Sequence, residues 1–137
     1  NNVMKRVINL SFLVVAIVSL VACSPTTPGK ALKSYLTDLK NENYESFIKG
    51  VYFPEDMDEQ RKKKDEAQLL AIIKEKGAKE YEKKGGVKSI EILSETISED
   101  GKSAVVEYKQ TFGNGEEEKQ SQKMIKKDDK WFIDMRK

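Results

Sequence analysis

Residues 87–112 read VKSIEILSETISEDGKSAVVEYKQTF, and this stretch decides the fold. Apolar and polar side chains alternate through it, the period of two that sends successive side chains to opposite faces of a strand. Ile90, Ile92, Leu93 and Ile97 mark a first strand over 87–98. Glu99-Asp100-Gly101 has the composition of a tight hairpin turn. Ala104, Val106, Tyr108, Gln110 and Phe112 then hold the even positions of a second strand over 102–112. Gly113-Asn114-Gly115 turns the chain again, into a third strand over 116–127 that is polar until Met124-Ile125. Asp128-Asp129 leads to a fourth strand over 130–136, with Trp131, Ile133 and Met135 on one face. Turns this short join only antiparallel neighbours, so the sequence predicts a four-stranded meander.

Upstream of Val87 the period is that of a helix. Thr27 can cap a helix with Pro28 at its first position. Ala31, Leu32, Tyr35, Leu36 and Leu39 then form one apolar stripe. After Asn41-Glu42-Asn43, the spacing of Tyr44, Phe47, Ile48 and Val51 predicts a second helix, which Tyr52-Phe53-Pro54 ends. A third helical stretch spans 55–84. Its acids lead and its bases follow, the order favoured by the helix dipole. Leu70, Ile73, Gly77 and Tyr81 continue its stripe from Ala67, Leu69 and Ile72 widen it, and Gly85-Gly86 stops it. The basic run Arg61 to Lys64 reads as a solvated helix face balanced by neighbouring acids. Three helices followed by four antiparallel strands make an α+β domain over residues 29–137.

The first residues read as a targeting segment. Lys5 and Arg6 precede an apolar run from Val7 to Ala22, and no charge returns until Lys30. At about 24 Å as a helix the run falls short of a bilayer's hydrocarbon, and it ends in small residues, as secretory signals do. Met4 is the expected start, with Asn1 to Val3 upstream of it. Leu20-Val21-Ala22-Cys23 resembles the bacterial lipobox. That resemblance implies cleavage of residues 1–22 between Ala22 and Cys23, and a Cys23 that carries acyl chains. Residues 23–28, with Pro25 and Pro28 among small polar residues, then form a lipidated tether. The acidic cluster found after the cysteine in some surface-exported lipoproteins is missing, which points to the periplasmic face of a Gram-negative envelope. The membrane would be engaged through Cys23 alone.

Composition excludes much of the usual chemistry. The 137 residues hold no histidine and one cysteine. A Cys/His zinc site, a Ser-His-Asp or Cys-His pair and a disulfide within the chain are therefore excluded. No phosphate loop, dinucleotide fingerprint or metal-ligand cluster is visible, so neither a cofactor nor a metal is expected. Removing residues 1–22 takes away two bases and no acids and leaves 23 of each, formally neutral. A nucleic-acid partner, which needs a net basic face, is not expected.

The order of elements resembles the nuclear transport factor 2-like (cystatin-like) superfamily, and more closely the lumazine-binding-like lipoproteins of Bacteroides-type bacteria. The residues that carry the resemblance are Tyr44-Glu45-Ser46-Phe47, the run Lys83 to Ser89, the run Ile97 to Val106, and the run Asp129 to Asp134. It implies a cone-shaped cavity between a curved sheet and the helices. Some members of that superfamily are isomerases and dehydratases; others only bind. The side chains expected to line such a cavity are Tyr35, Tyr44, Tyr108, Gln110 and Trp131. Tyr108, mid-strand on the apolar face, could polarise a carbonyl or be a core aromatic whose hydroxyl reaches the rim. Asp38, beside the first stripe, is the one carboxylate placed near the cavity. Glu91, Glu107 and Asp134 fall on the polar side, and Glu116-Glu117-Glu118 reads as an exposed hairpin edge. Two functions follow: a non-catalytic domain binding a small ligand or an envelope protein, or a small isomerase or dehydratase using Tyr108 and Asp38.

Overall fold

The computed structural model describes residues 27–136. The expected signal segment, Ala22, Cys23 and the tether up to Thr26 lie outside the described residues. Helix α1 spans Pro28–Lys40, α2 Tyr44–Lys49, α3 Glu59–Ile72 and α4 Ala78–Lys83, with a π-helical turn, Ile73–Gly77, between the last two. Strands β1 (Val87–Ile97), β2 (Ser103–Phe112), β3 (Glu117–Lys127) and β4 (Lys130–Ile133) follow. They form one antiparallel sheet in the order β1-β2-β3-β4. The α+β architecture and the meander are those expected from the sequence. Among the described residues no helix is long and apolar enough to cross a membrane.

Helix α1 lies across the sheet. The Thr27 hydroxyl accepts from Lys30 N–H at 3.2 Å, and Pro28 and Gly29 are already buried in the first turn. Ala31, Leu32 and Leu36 pack into one core with Val106, Met124, Trp131 and Ile133 from the sheet. The Tyr35 hydroxyl crosses to the sheet and donates to the Trp131 carbonyl at 2.6 Å. A Cβ on Gly50 would collide with the Tyr35 ring, so glycine is needed there to let α2 close against α1.

The second helix is shorter than expected. It stops at Lys49, and Val51 pairs in parallel with Ile133 instead of extending the helix. Ile133 N–H donates to the Gly50 carbonyl at 2.7 Å, and Tyr52 N–H to the Ile133 carbonyl at 2.8 Å. These bonds cover the outer edge of β4, an edge that would otherwise be open to foreign strands. The third stretch begins at Glu59 rather than 55, after an extended Asp58. β4 ends at Ile133, and Met135 is exposed.

The long helix is less buried than its stripe predicts. Leu69, Leu70 and Ile73 are half-buried against the core, Ala67 is exposed, and Ile72 faces solvent. Within α3, the π turn and α4 no residue is fully buried. At the π turn Ala78 N–H bonds to the Ile73 carbonyl, five residues back.

β1 departs from simple alternation. Ile92 faces Tyr108 but Ser94 faces Glu107, so Leu93 is the extra residue of a bulge. The bulge reverses parity: beyond it Glu95 pairs with Val106 and Ile97 with Ala104, on the helix side of the sheet. Leu93 itself is exposed, and Ile97 lies half in solvent.

Candidate functional site

Residues paired directly across an antiparallel sheet share a face. Tyr108 pairs with Gln120, and Gln110 with Glu118. Because Tyr108 and Gln110 are buried beneath the helices, Glu118 and Gln120 stand on that same face. Glu118 is therefore not part of an exposed hairpin edge, as the run of three glutamates suggested. Glu117 has that role: it faces outward, 3.7 Å from Lys109 Nζ. The parity of β3 about the Gly113-Asn114-Gly115 turn is the signal that would have revealed Glu118 and Gln120.

These four side chains form two rungs, and the end of the last helix sits over them. The Tyr108 hydroxyl, in a residue 6% exposed, donates to Gln120 Oε1 at 3.3 Å. Gln120 Nε2 in turn donates to Glu118 Oε1 at 3.4 Å. The other Glu118 oxygen holds the Lys84 ammonium in an ion pair. Lys84 Nζ also lies 4.9 Å from the centre of the Phe112 ring, and the Tyr81 ring tilts against Phe112 at 5.7 Å. Gln110 is 2% exposed. Its Nε2 donates to the Tyr81 hydroxyl at 3.4 Å, and its Oε1 has no hydrogen-bond partner among the described residues.

The electrostatics follow from this packing. Burial pushes the Tyr108 phenol up to about 12, with smaller contributions from Tyr81 and Glu118. The hydrogen bond to Glu118 raises the Lys84 ammonium above the ordinary lysine value. Burial also raises Tyr35, with Asp38 adding to the effect.

The expected cavity residues are brought together only in part. Tyr108 and Gln110 are neighbours on one strand face. Tyr35 and Trp131 meet elsewhere, through the Tyr35 hydroxyl; Trp131 is buried, with Lys126 Nζ 5.8 Å from its ring. Tyr44 belongs to an open cleft of about 410 Å³ between the end of α1 and α4, which Tyr81 also lines. Asp38 is half-buried on α1, where the phenol it acts on is Tyr35, whereas the neighbours acting on Tyr108 are Tyr81 and Glu118. Glu91 and Glu107 face outward, bound to Lys109 and Ser94. Asp134 is held low by the Arg136 guanidinium. Glu95 joins Glu118 as the second carboxylate on the helix side of the sheet, and it bonds to Gly29 N–H at 2.7 Å. Among the described residues no three acidic or cysteine side chains converge as metal ligands do.

A family model described as a domain of unknown function, DUF4878, matches residues 21–134. The chain belongs to the DUF4878 family. A Campylobacter jejuni protein provisionally described as an NTF2-like transpeptidase, with a crystal structure at 2.00 Å resolution, has the same fold as this DUF4878 chain. The two are 24% identical and superpose with a TM-score of 0.69, over 81% of this chain and 100% of the other. At that identity the likeness establishes the nuclear transport factor 2-like fold and leaves chemistry to the residues, since one fold hosts many activities. No curated protein matches the sequence.

Proposed function

We propose that this DUF4878 chain is a bacterial envelope lipoprotein, anchored through Cys23 on the periplasmic side, whose domain binds a small ligand between helices and sheet without transforming it. The observation that carries the binding half is Gln110. A buried amide oxygen left without a donor costs about 1–3 kcal/mol, so the interior is built for a hydrogen bond that the described residues do not supply. The anchoring half rests on Leu20-Val21-Ala22-Cys23 and on the likeness to lumazine-binding-like lipoproteins, whose cone would place the ligand over Tyr108 and Gln110.

The binding reading is supported by the commitments of the inner carboxylates. Glu95 holds the start of α1, and Glu118 holds Lys84. A general base needs a carboxylate free to take a proton and tuned toward neutral pH. Asp38 stands with Tyr35, away from the two rungs. The competing isomerase or dehydratase reading is tested by assaying wild type, Asp38→Asn and Tyr108→Phe on ketosteroids and hydroxyacyl compounds. No turnover by any of the three supports binding. Turnover by the wild type that either substitution slows by about a hundredfold refutes it. Incorporation of labelled fatty acid into wild type and its loss in Cys23→Ala tests the anchor.

A further inference from the structure

Resting on the binding reading above, we propose that the ligand carries a primary ammonium group, and that the Lys84 side chain is an internal occupant of its site. Three hydrogen-bond acceptors stand around this point, on adjacent rungs of the sheet. Glu118 offers a carboxylate, Gln110 an unpartnered carbonyl on the same rung, and Gln120 a carbonyl on the next. The face of Phe112 lies beside them, and an aromatic face attracts a cation. What the chain itself places there is an ammonium, bonded to Glu118 and 4.9 Å from the centre of Phe112.

Lys84 can leave without unfolding anything. Its backbone is pinned to the β2–β3 turn: Asn114 N–H donates to the Lys84 carbonyl, and Gly113 N–H to that of Gly86, both at 2.8 Å. The side chain is a flexible four-carbon stem that rotates away while the backbone stays. Its departure uncovers a carboxylate oxygen and one face of Phe112. Rotation of the Tyr81 ring uncovers Gln110. A primary ammonium brings three N–H groups, one for Glu118, one for the Gln110 carbonyl and one for a neighbouring hydroxyl or amide oxygen. An alcohol brings one donor, and a quaternary ammonium brings none.

The test uses n-butylammonium, n-butanol and tetramethylammonium as probes against wild type, Lys84→Ala and Lys84→Ala/Glu118→Gln, with binding read by amide chemical shifts and by melting temperature. Lys84→Met, which keeps an apolar stem over Phe112, replaces Lys84→Ala if that variant does not fold. The expected result is saturable binding of n-butylammonium to the Lys84 variant, at least tenfold tighter than to wild type. It should be lost with Glu118→Gln and unmatched by either other probe. Absence of binding, equal binding to wild type, survival in the double variant or equal binding of tetramethylammonium would each overturn the proposal. A retained ligand that is not an amine would also overturn it while leaving the binding reading intact.

Discussion

Glu95 Oε1 accepts a hydrogen bond from Gly29 N–H at 2.7 Å, so a carboxylate on β1 caps the first turn of a helix through a residue 66 positions earlier. The bond exists because the Leu93 bulge turns Glu95 to the helix side. A carboxylate is favoured at a helix N-terminus, where N–H groups lack partners inside the helix. Glu95→Ala should lower stability by about 1 kcal/mol, measured by urea unfolding. Deleting Leu93 removes the extra residue but leaves Ser94 opposite Glu107 and Glu95 opposite Val106, so Glu95 should stay on the helix side and Glu95→Ala should cost as much in that background as in the wild type. Glu95→Ala protein as stable as the wild type would contradict the cap.

Trp131 is a core residue. It is 5% exposed, packs with Leu32 and Leu36 in one cluster, and its carbonyl receives the Tyr35 hydroxyl. Trp131→Ala should cost about 3–5 kcal/mol, a large share of the stability of a domain this size. A loss below about 1 kcal/mol in chemical denaturation would show an indole without a core role.

Tyr108 should titrate last among the tyrosines. Its phenol is favoured neutral in the folded chain, with a value raised from 10.0 to about 12. Its contribution to stability is therefore complete below pH 10.0 and is lost as pH rises through about 12. Tyr108→Phe should remove the highest step from the ultraviolet tyrosinate titration and flatten the fall in stability over that window. An unchanged titration would contradict the burial of the phenol.

Gln110 should behave as a site residue and not as structural glue. Gln110→Leu removes an unpartnered carbonyl and one long hydrogen bond to Tyr81, so stability should hold or rise by about 1 kcal/mol. A Gln110→Leu/Tyr81→Phe double-mutant cycle should give a coupling below about 0.5 kcal/mol. A loss of 2 kcal/mol or more on Gln110→Leu would mean the amide holds the fold together.

Much of the fold was legible because its signals are local. The change of period at Val87 and the turns at Gly101, Gly115 and Asp128-Asp129 fixed four strands and their order. Asp128 and Asp129 adopt φ of 50° and 64°, the left-handed pair a two-residue hairpin turn requires. What was not legible depends on partners distant in sequence. Val51 leaves the helical pattern because Ile133 supplies a strand edge. Leu93 is exposed as the extra residue of a bulge, and Glu95 and Ile97 come to the helix side because that bulge reverses parity, which alternation alone cannot locate. Tyr108 and Gln110 were readable as inner residues from their even positions. Glu118 and Gln120 were not, since neither carries an apolar signal and their face is set by pairing with β2.

Native mass spectrometry of the full-length chain purified from bacterial envelopes tests most directly whether the domain is a binding module. The wild type should retain a small molecule beyond the mass of the covalent chain, and Gln110→Leu/Glu118→Gln, folded by circular dichroism, should have lost it. Wild-type protein that appears only at the mass of the covalent chain, or a double variant that keeps the same bound mass, would contradict a ligand site on the Gln110–Glu118 rung.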